Sequence, residues 1–324
     1  MTTPQDRHIE TPMSDTGREG YWIRSYGLLF HSTIPIPEMN AVDPNILGPS
    51  DRPDVTIGVG SIPEHLNAPI RAGVLHEANA EQFLLRVENV GRFLVSRGTE
   101  ILIEPLPGVS AHEVRVFLLG SVLGGLLHQR GFLVLHASGI GTRQGAVLFA
   151  GDSGAGKSTL LGEFLRRGHR MMVDDVAAIK VDVGAHPVVV PSYPRTRLWG
   201  ETARRLSIDT TGLSRTRPEM DKYERQLPDQ FWDQEAPIAA IYHLAGSDGD
   251  ELSLTTLGPM EAFHTVLNNT YRQVLLDGLA RRQEHFDLAS GTARSARVIR
   301  VIRPAHTFQL VELADRILAD LEAG

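Results

Sequence analysis

The 324-residue chain has no cysteine. That excludes disulfides, thiolate zinc sites and a cysteine nucleophile, and it agrees with a reducing cytosol as the compartment. Basic residues are fewer than acidic ones, 32 Lys plus Arg against 39 Asp plus Glu, for a formal net charge of -7. Such a chain has no overall attraction for phosphate backbones or anionic lipid, so neither nucleic acid nor a membrane surface is expected as a principal partner. Long apolar runs are also missing. The most apolar stretch, VFLLGSVLGGLL at 116–127, is far shorter than the roughly 20 residues of a membrane span. The first residues, MTTPQDRHIETPMSDTGREG, contain no apolar segment, so neither a secretory signal nor an anchor is expected there. Residues 1–19 read as a flexible tail, and the protein as cytoplasmic. Without a secretory signal, the glycosylation match at Asn268-Asn269-Thr270 reads as chance.

What is present is ordinary globular composition, 42% hydrophobic and 22% charged, at a length sufficient for two domains. Residues 20–108 read as a β-rich N-terminal domain of short alternating runs broken by Gly, Pro and Asn. Ser110 and Glu113 form an S-x-x-E capping box, which predicts a helix ending at Gly131. With it begins a second domain, 109–324, that carries the chemistry. Two apolar strands, FLVLHASGIG and GAVLFAG, are joined by the turn TRQG, and the second leads into GDSGAGKST and a helix, KSTLLGEFLRRG. A further strand, HRMMVDDVAAIKVD, follows.

Gly151, Asp152, Ser153, Gly154, Ala155, Gly156, Lys157 and Ser158 fit G-x-x-x-x-G-K-[ST] in full. Glycines let successive backbone N–H groups turn around an anion, and the helix N-terminus adds partial positive charge. The lysine reaches the β/γ-phosphates, and the serine hydroxyl serves Mg²⁺. ATP with Mg²⁺ is the expected ligand, held by these eight residues and Thr159. Asp174 and Asp175, ending the apolar run HRMMV, look like a Walker B element. Adjacent residues at a strand end point to different sides, so the pair can divide metal holding and proton acceptance between them. His136, on the strand beside the one that enters the loop, could reach Asp175 and hold its orientation. Arg195, Arg197, Arg215, Arg217, Lys222 and Arg225 supply downstream cations, and Arg197 and Lys222 are the candidates for neutralising charge on a transferred phosphoryl group. Arg294, Arg297, Arg300 and Arg303 recur every three residues, cannot share one face of a strand, and read as surface, with an acidic-peptide site as the alternative. DTTG at 209–212 resembles a GTP-switch motif, but no N-K-x-D accompanies it.

The order LHASGIG, GDSGAGKS, RRGHR and the aspartate pair, from about Leu133 to Asp175, resembles the bacterial HPr kinase/phosphorylase family. These are P-loop serine kinases of phosphoenolpyruvate-carboxykinase-like α/β fold. The resemblance implies that Lys157 and Ser158 bind phosphates and Mg²⁺. It also implies that the aspartate pair contains the base for a substrate hydroxyl, that His136 assists it, and that the chain forms a homo-oligomer. Thr159 stands where the family usually has glutamate, and PSYPRTRLWGE replaces the later E-[IV]-R-G motif. The layout is more similar to the HPr kinase-related proteins found with ribosomally made, modified peptides. These include lasso-peptide tailoring kinases, which phosphorylate a precursor's terminal serine.

The expectation is therefore an α/β P-loop kinase, preceded by a smaller β-rich domain, that transfers the γ-phosphoryl of ATP to a Ser or Thr hydroxyl of a protein or peptide. Asp175 acts as base while Asp174 and Ser158 hold Mg²⁺, although the two aspartates could exchange roles. A small-molecule hydroxyl kinase and a nucleotide-gated binding module with little turnover stand as alternatives.

Overall fold

Short runs between Tyr21 and Pro105 form strands, some burying alternate residues as in Val55–Val59 and Glu100–Pro105, and positive φ at Tyr26, Gly27, Asn89, Arg97 and Gly98 turns the chain between several of them. The computed structural model describes residues 20–48, 50–182, 184–217, 219–304 and 309–323; the expected tail at 1–19 lies outside the described residues. Strands β1 (Tyr21–Ser25) and β2 (Leu28–Ser32) are joined by Tyr26-Gly27, with φ of 52° and 68°. Two positive φ values in a two-residue loop match the right-handed twist of the paired strands. β3 (Asn40–Ala41), β4 (Val55–Val59), β5 (Arg71–Ala72), β6 (His76–Ala78), β7 (Gln82–Val87), β8 (Gly91–Ser96) and β9 (Glu100–Pro105) complete a sheet ordered β3-β1-β2-β4-β9-β8-β7-β6-β5.

Contacts divide the chain into one unit made of residues up to Phe132 with Arg272–His285, and another made of Leu133–Tyr271 with Phe286 onward. The expected border at 108/109 falls inside the first unit. Helix α1 (Ala111–Phe117) starts at the capping box, where Glu113 N donates to Ser110 Oγ and Ser110 N to Glu113 Oε2, both at 3.2 Å. It passes through a π-turn at Leu118–Val122 into α2 (Leu123–Gln129), and Gly131 follows with φ of 77°. This run stays with the β-sheet because Val114, Leu118, Val122 and Leu126 are buried and Gly125 lets Phe83 approach. A Cβ at Gly125 would lie 2.5 Å from the Phe83 ring.

In the second unit, β10 (Leu133–Leu135), β11 (Ala137–Thr142) and β12 (Gly145–Ala150) precede helix α3 (Lys157–Arg166). Next come β13 (Arg170–Val173), β14 (Ala177–Lys180), β15 (Val188–Val190), β16 (Arg195–Trp199), helix α4 (Gly200–Arg205), β17 (Lys222–Gln226), β18 (Ala236–Ser247) and β19 (Ser253–Thr256). Helix α5 (Pro259–Asn268), helix α6 (Arg282–Ser295), whose residues through His285 belong to the first unit, strand β20 (Arg297–Pro304) and helix α7 (Leu310–Ala323) follow. The sheet runs β10-β14-β15-β18-β12-β11-β13, with β20 on β18 and β19 on β20; β16 and β17 form a separate ribbon. β12 is apolar and buried at every position and lies parallel to β18, as the interior of a sheet covered on both faces requires. Phe149 of β12 stacks on Phe164 of α3 with centroids 5.2 Å apart, which fixes the helix over the strand that feeds it.

Two expected strands are broken. FLVLHASGIG divides at His136, whose N–H donates to Asn269 O at 2.7 Å instead of joining the ladder. HRMMVDDVAAIKVD divides at the aspartate pair, where Asp175 has φ of 73°. No described helix is long and apolar enough to cross a membrane.

Candidate active site

The glycine-rich loop follows β12, and α3 begins where it ends. Gly151, Gly154 and Gly156 have φ of 138°, 86° and 98°, a run of backbone that side-chain-bearing residues resist. Gly156 caps α3 in the left-handed region, so the first N–H groups of a ten-residue helix open toward the loop. The buried Lys157 folds back over the loop, and its Nζ donates to Gly151 O at 2.7 Å and Asp152 O at 2.9 Å. Burial lowers the Lys157 pKa against the opposing pull of Asp175 and Asp174. Asn269 steadies the loop's first residue: its Oδ1 accepts from Gly151 N at 2.7 Å, while its carbonyl holds His136.

Across from the loop, Asp174 is buried and fully engaged. Oδ1 accepts from Ser138 Oγ at 2.7 Å and faces Ser158 Oγ at 3.4 Å; Oδ2 accepts from Thr196 Oγ1 at 2.8 Å and Arg197 N at 2.9 Å. Ser138 reaches it because β11 and β13 pair closely, with a register shift after Gly139, where a Cβ would lie 2.7 Å from Leu148.

Asp175 points elsewhere. His136 Nδ1 lies 3.3 Å from its Oδ1 and 3.0 Å from its backbone carbonyl, and Arg197 Nη1 lies 3.3 Å from its Oδ2. Burial would raise the Asp175 pKa, but Arg197, His136, Lys222 and Arg195 outweigh it and hold the carboxyl below its ordinary value. Burial lowers His136 despite the neighbouring aspartate, so the ring is neutral near pH 7. Both oxygens beside Nδ1 are acceptors, which places the proton on Nδ1.

Arg197 is mounted on the β16–β17 ribbon, where Arg195 pairs with Glu224 at 2.7 Å and Arg197 Nε lies 3.4 Å from the same carboxylate. Its Nη2 is buried and has no hydrogen-bond partner among the described residues. Lys222, opposite Trp199 in the ribbon register, holds its Nζ 5.4 Å from the Trp199 ring. Thr159 Oγ1 meets Thr202 Oγ1 at 2.9 Å.

His136, Lys157, Ser158, Thr159, Asp174, Asp175, Arg197 and Lys222 thus line one cavity of about 440 Å³, a volume in the range of small-molecule sites. Sequence reading gave no role to Ser138, although it lies within LHASGIG, nor to Thr196 and Asn269. It also placed Arg303 on the surface. Arg303 instead lines the cavity and donates from Nε and Nη2 to Ala155 O at 3.2 and 3.0 Å. A strand beginning beside the loop strand's partner would have brought its end there, but the pairing of β20 with β18 is not visible in a period-three run of arginines. Arg297 and Arg300 pair with Asp320 and Glu261.

The donor set fits a magnesium-bound polyphosphate. The glycine-bent loop and the N-terminus of α3 offer backbone N–H groups, Lys157 adds a cation, and Ser158 and Asp174 bring two hard oxygens together.

No family model matches this sequence, and no curated protein matches it. Among solved structures, the HPr(Ser) kinase/phosphatase from Coxiella burnetii is similar over 58% of this chain and 89% of that chain, with 11% identity and a TM-score of 0.32.

Proposed function

We propose that the chain is a hydroxyl kinase that transfers the γ-phosphoryl of ATP to a Ser or Thr side chain of a protein or peptide. A ribosomally made precursor peptide of the lasso kind is the acceptor that the sequence resemblance favours. The observation that carries the reading is the division of labour between adjacent aspartates beside a glycine-rich loop: Asp174 turns to Ser158, Asp175 to His136 and Arg197.

In this reading Ser158 and Asp174 would hold Mg²⁺, which supplies neutralising charge to the phosphates when bound. Loop N–H groups and the α3 N-terminus cradle the polyphosphate. Lys157 exchanges its two loop carbonyls for phosphate oxygens. Asp175, ionised at neutral pH, accepts the acceptor's hydroxyl proton as the new O–P bond forms and the bond to the β,γ-bridging oxygen breaks, releasing ADP. The Nδ1–H of His136 keeps that carboxylate in place. The unpaired Nη2 of Arg197, with Lys222, meets charge on the transferred group.

Radiolabelled phosphate transfer from ATP to a serine-containing peptide, to free serine or to neither tests this directly. Transfer to the peptide, lost in Lys157→Ala, is expected. Transfer to free serine alone would make the chain a small-molecule kinase, and tight ATP binding without transfer would make it a nucleotide-gated binding module.

A further inference from the structure

The cavity is also lined by four leucines, Leu244, Leu252, Leu310 and Leu313, and by Arg303 and Gln309, none of which the phosphate chemistry above uses. The four leucines belong to one core cluster, and Ala155 of the loop packs against that cluster. Arg303 adjoins the same loop: two of its nitrogens hold Ala155 O, and Nη2 stands 3.6 Å from where a Gly156 Cβ would be. A guanidinium anchored at one edge presents a flat face suited to stacking on an aromatic ring. Gln309 Oε1 is buried with no hydrogen-bond partner among the described residues, a cost that a ligand N–H would remove.

We infer that this part of the cavity lining forms a nucleobase subsite in which the leucines and the Arg303 plane enclose an adenine ring, and Gln309 Oε1 accepts from its amino group. The inference rests on the nucleotide reading above and adds to it the residues that recognise the base. Leucine walls with one acceptor make the base, and not the triphosphate alone, a source of affinity. The loop contact of Arg303 ties base occupancy to the geometry of the phosphate cradle.

Calorimetry of the full chain with Mg-ATP, Mg-tripolyphosphate and the Mg complex of purine riboside triphosphate, which lacks the amino group, tests the subsite. Apolar burial of a purine on this scale is worth about tenfold or more in affinity. ATP is therefore expected to bind at least about tenfold more tightly than tripolyphosphate, and several-fold more tightly than the amino-free analogue. Leu310→Asn is expected to shrink the first ratio toward one, and Leu252→Asn serves if that variant does not fold. Equal binding of ATP and tripolyphosphate by the wild type would overturn the subsite while leaving the phosphate loop intact. Equal binding of ATP and the analogue would remove Gln309 from it. Binding of none of the three would overturn both the subsite and the nucleotide reading.

Discussion

His136 meets Asp175 twice, at its carboxylate and at its backbone carbonyl, through the same ring nitrogen. The double contact depends on a tight turn. Val176 N donates to Asp174 O at 3.0 Å across Asp175, whose φ of 73° is one that aspartate tolerates better than most residues. Holding a non-glycine residue there costs on the order of 1–3 kcal/mol. The turn sends Asp174 toward Ser138, Ser158 and Thr196 and Asp175 toward His136 and Arg197, so two neighbours in sequence serve different partners.

Because the two carboxylates have separate surroundings, their amides should fail differently. Asp175→Asn has no basic oxygen for the acceptor's proton and is expected to lower phosphoryl transfer by about a hundredfold or more with Mg-ATP affinity kept within a few-fold. Asp174→Asn loses the charge and one of the two carboxylate oxygens that serve Ser138 and Ser158 on one side and Thr196 and Arg197 N on the other, so, if Asp174 holds the metal as proposed, affinity and transfer should fall together. Titration calorimetry beside a transfer assay distinguishes them. Near-wild-type transfer by Asp175→Asn would rule it out as base.

Arg197 is the first of the cations that hold the Asp175 carboxyl down against the burial that raises it. Removing it as Arg197→Met leaves burial less opposed, so the carboxyl protonates at higher pH and the base is lost sooner on acidification. The acid limb of kcat/KM should therefore move to higher pH in this variant, in addition to any loss of rate from the missing phosphoryl contact. A limb that stays in place while the rate falls would confine Arg197 to charge neutralisation and remove Asp175 from the proton step.

The loop, its flanking strand and helix, and the aspartate pair were legible in sequence because each depends on contiguous residues: glycines at fixed spacing, a lysine and serine at a helix start, and an apolar run ending in acids. Even the α1 cap at Ser110 and Glu113 was local enough to read. What was hidden is long-range. Asn269 lies 118 residues from Gly151, and Arg303 lies 148 from Ala155. Each is placed by sheet pairing that no local pattern encodes. Gly139 looks like an ordinary strand glycine, yet a side chain there would clash with Leu148 and the Val147 carbonyl, next to the Ser138 that bonds Asp174. The helical run 111–129 joins the first unit for a similar reason, since its partner, Phe83, lies on a strand formed much earlier in the chain.

The first unit carries a pH dependence of its own. His285 is buried beside the His128 ring, with centroids 6.3 Å apart, and burial lowers its pKa from 6.5 to about 4. Between those values the unfolded chain takes up a proton that the folded chain refuses, so the contribution is complete above pH 6.5 and declines as the pH falls toward 4. At about 1.4 kcal/mol per pH unit, the loss amounts to about 3 kcal/mol. His285→Gln keeps hydrogen-bonding capacity but cannot titrate. Urea unfolding followed from pH 7 to pH 4 should therefore show wild-type stability dropping by about 3 kcal/mol more than that of the variant. Parallel curves would mean that His285 is protonated in the folded state, and that burial at this position does not govern its charge.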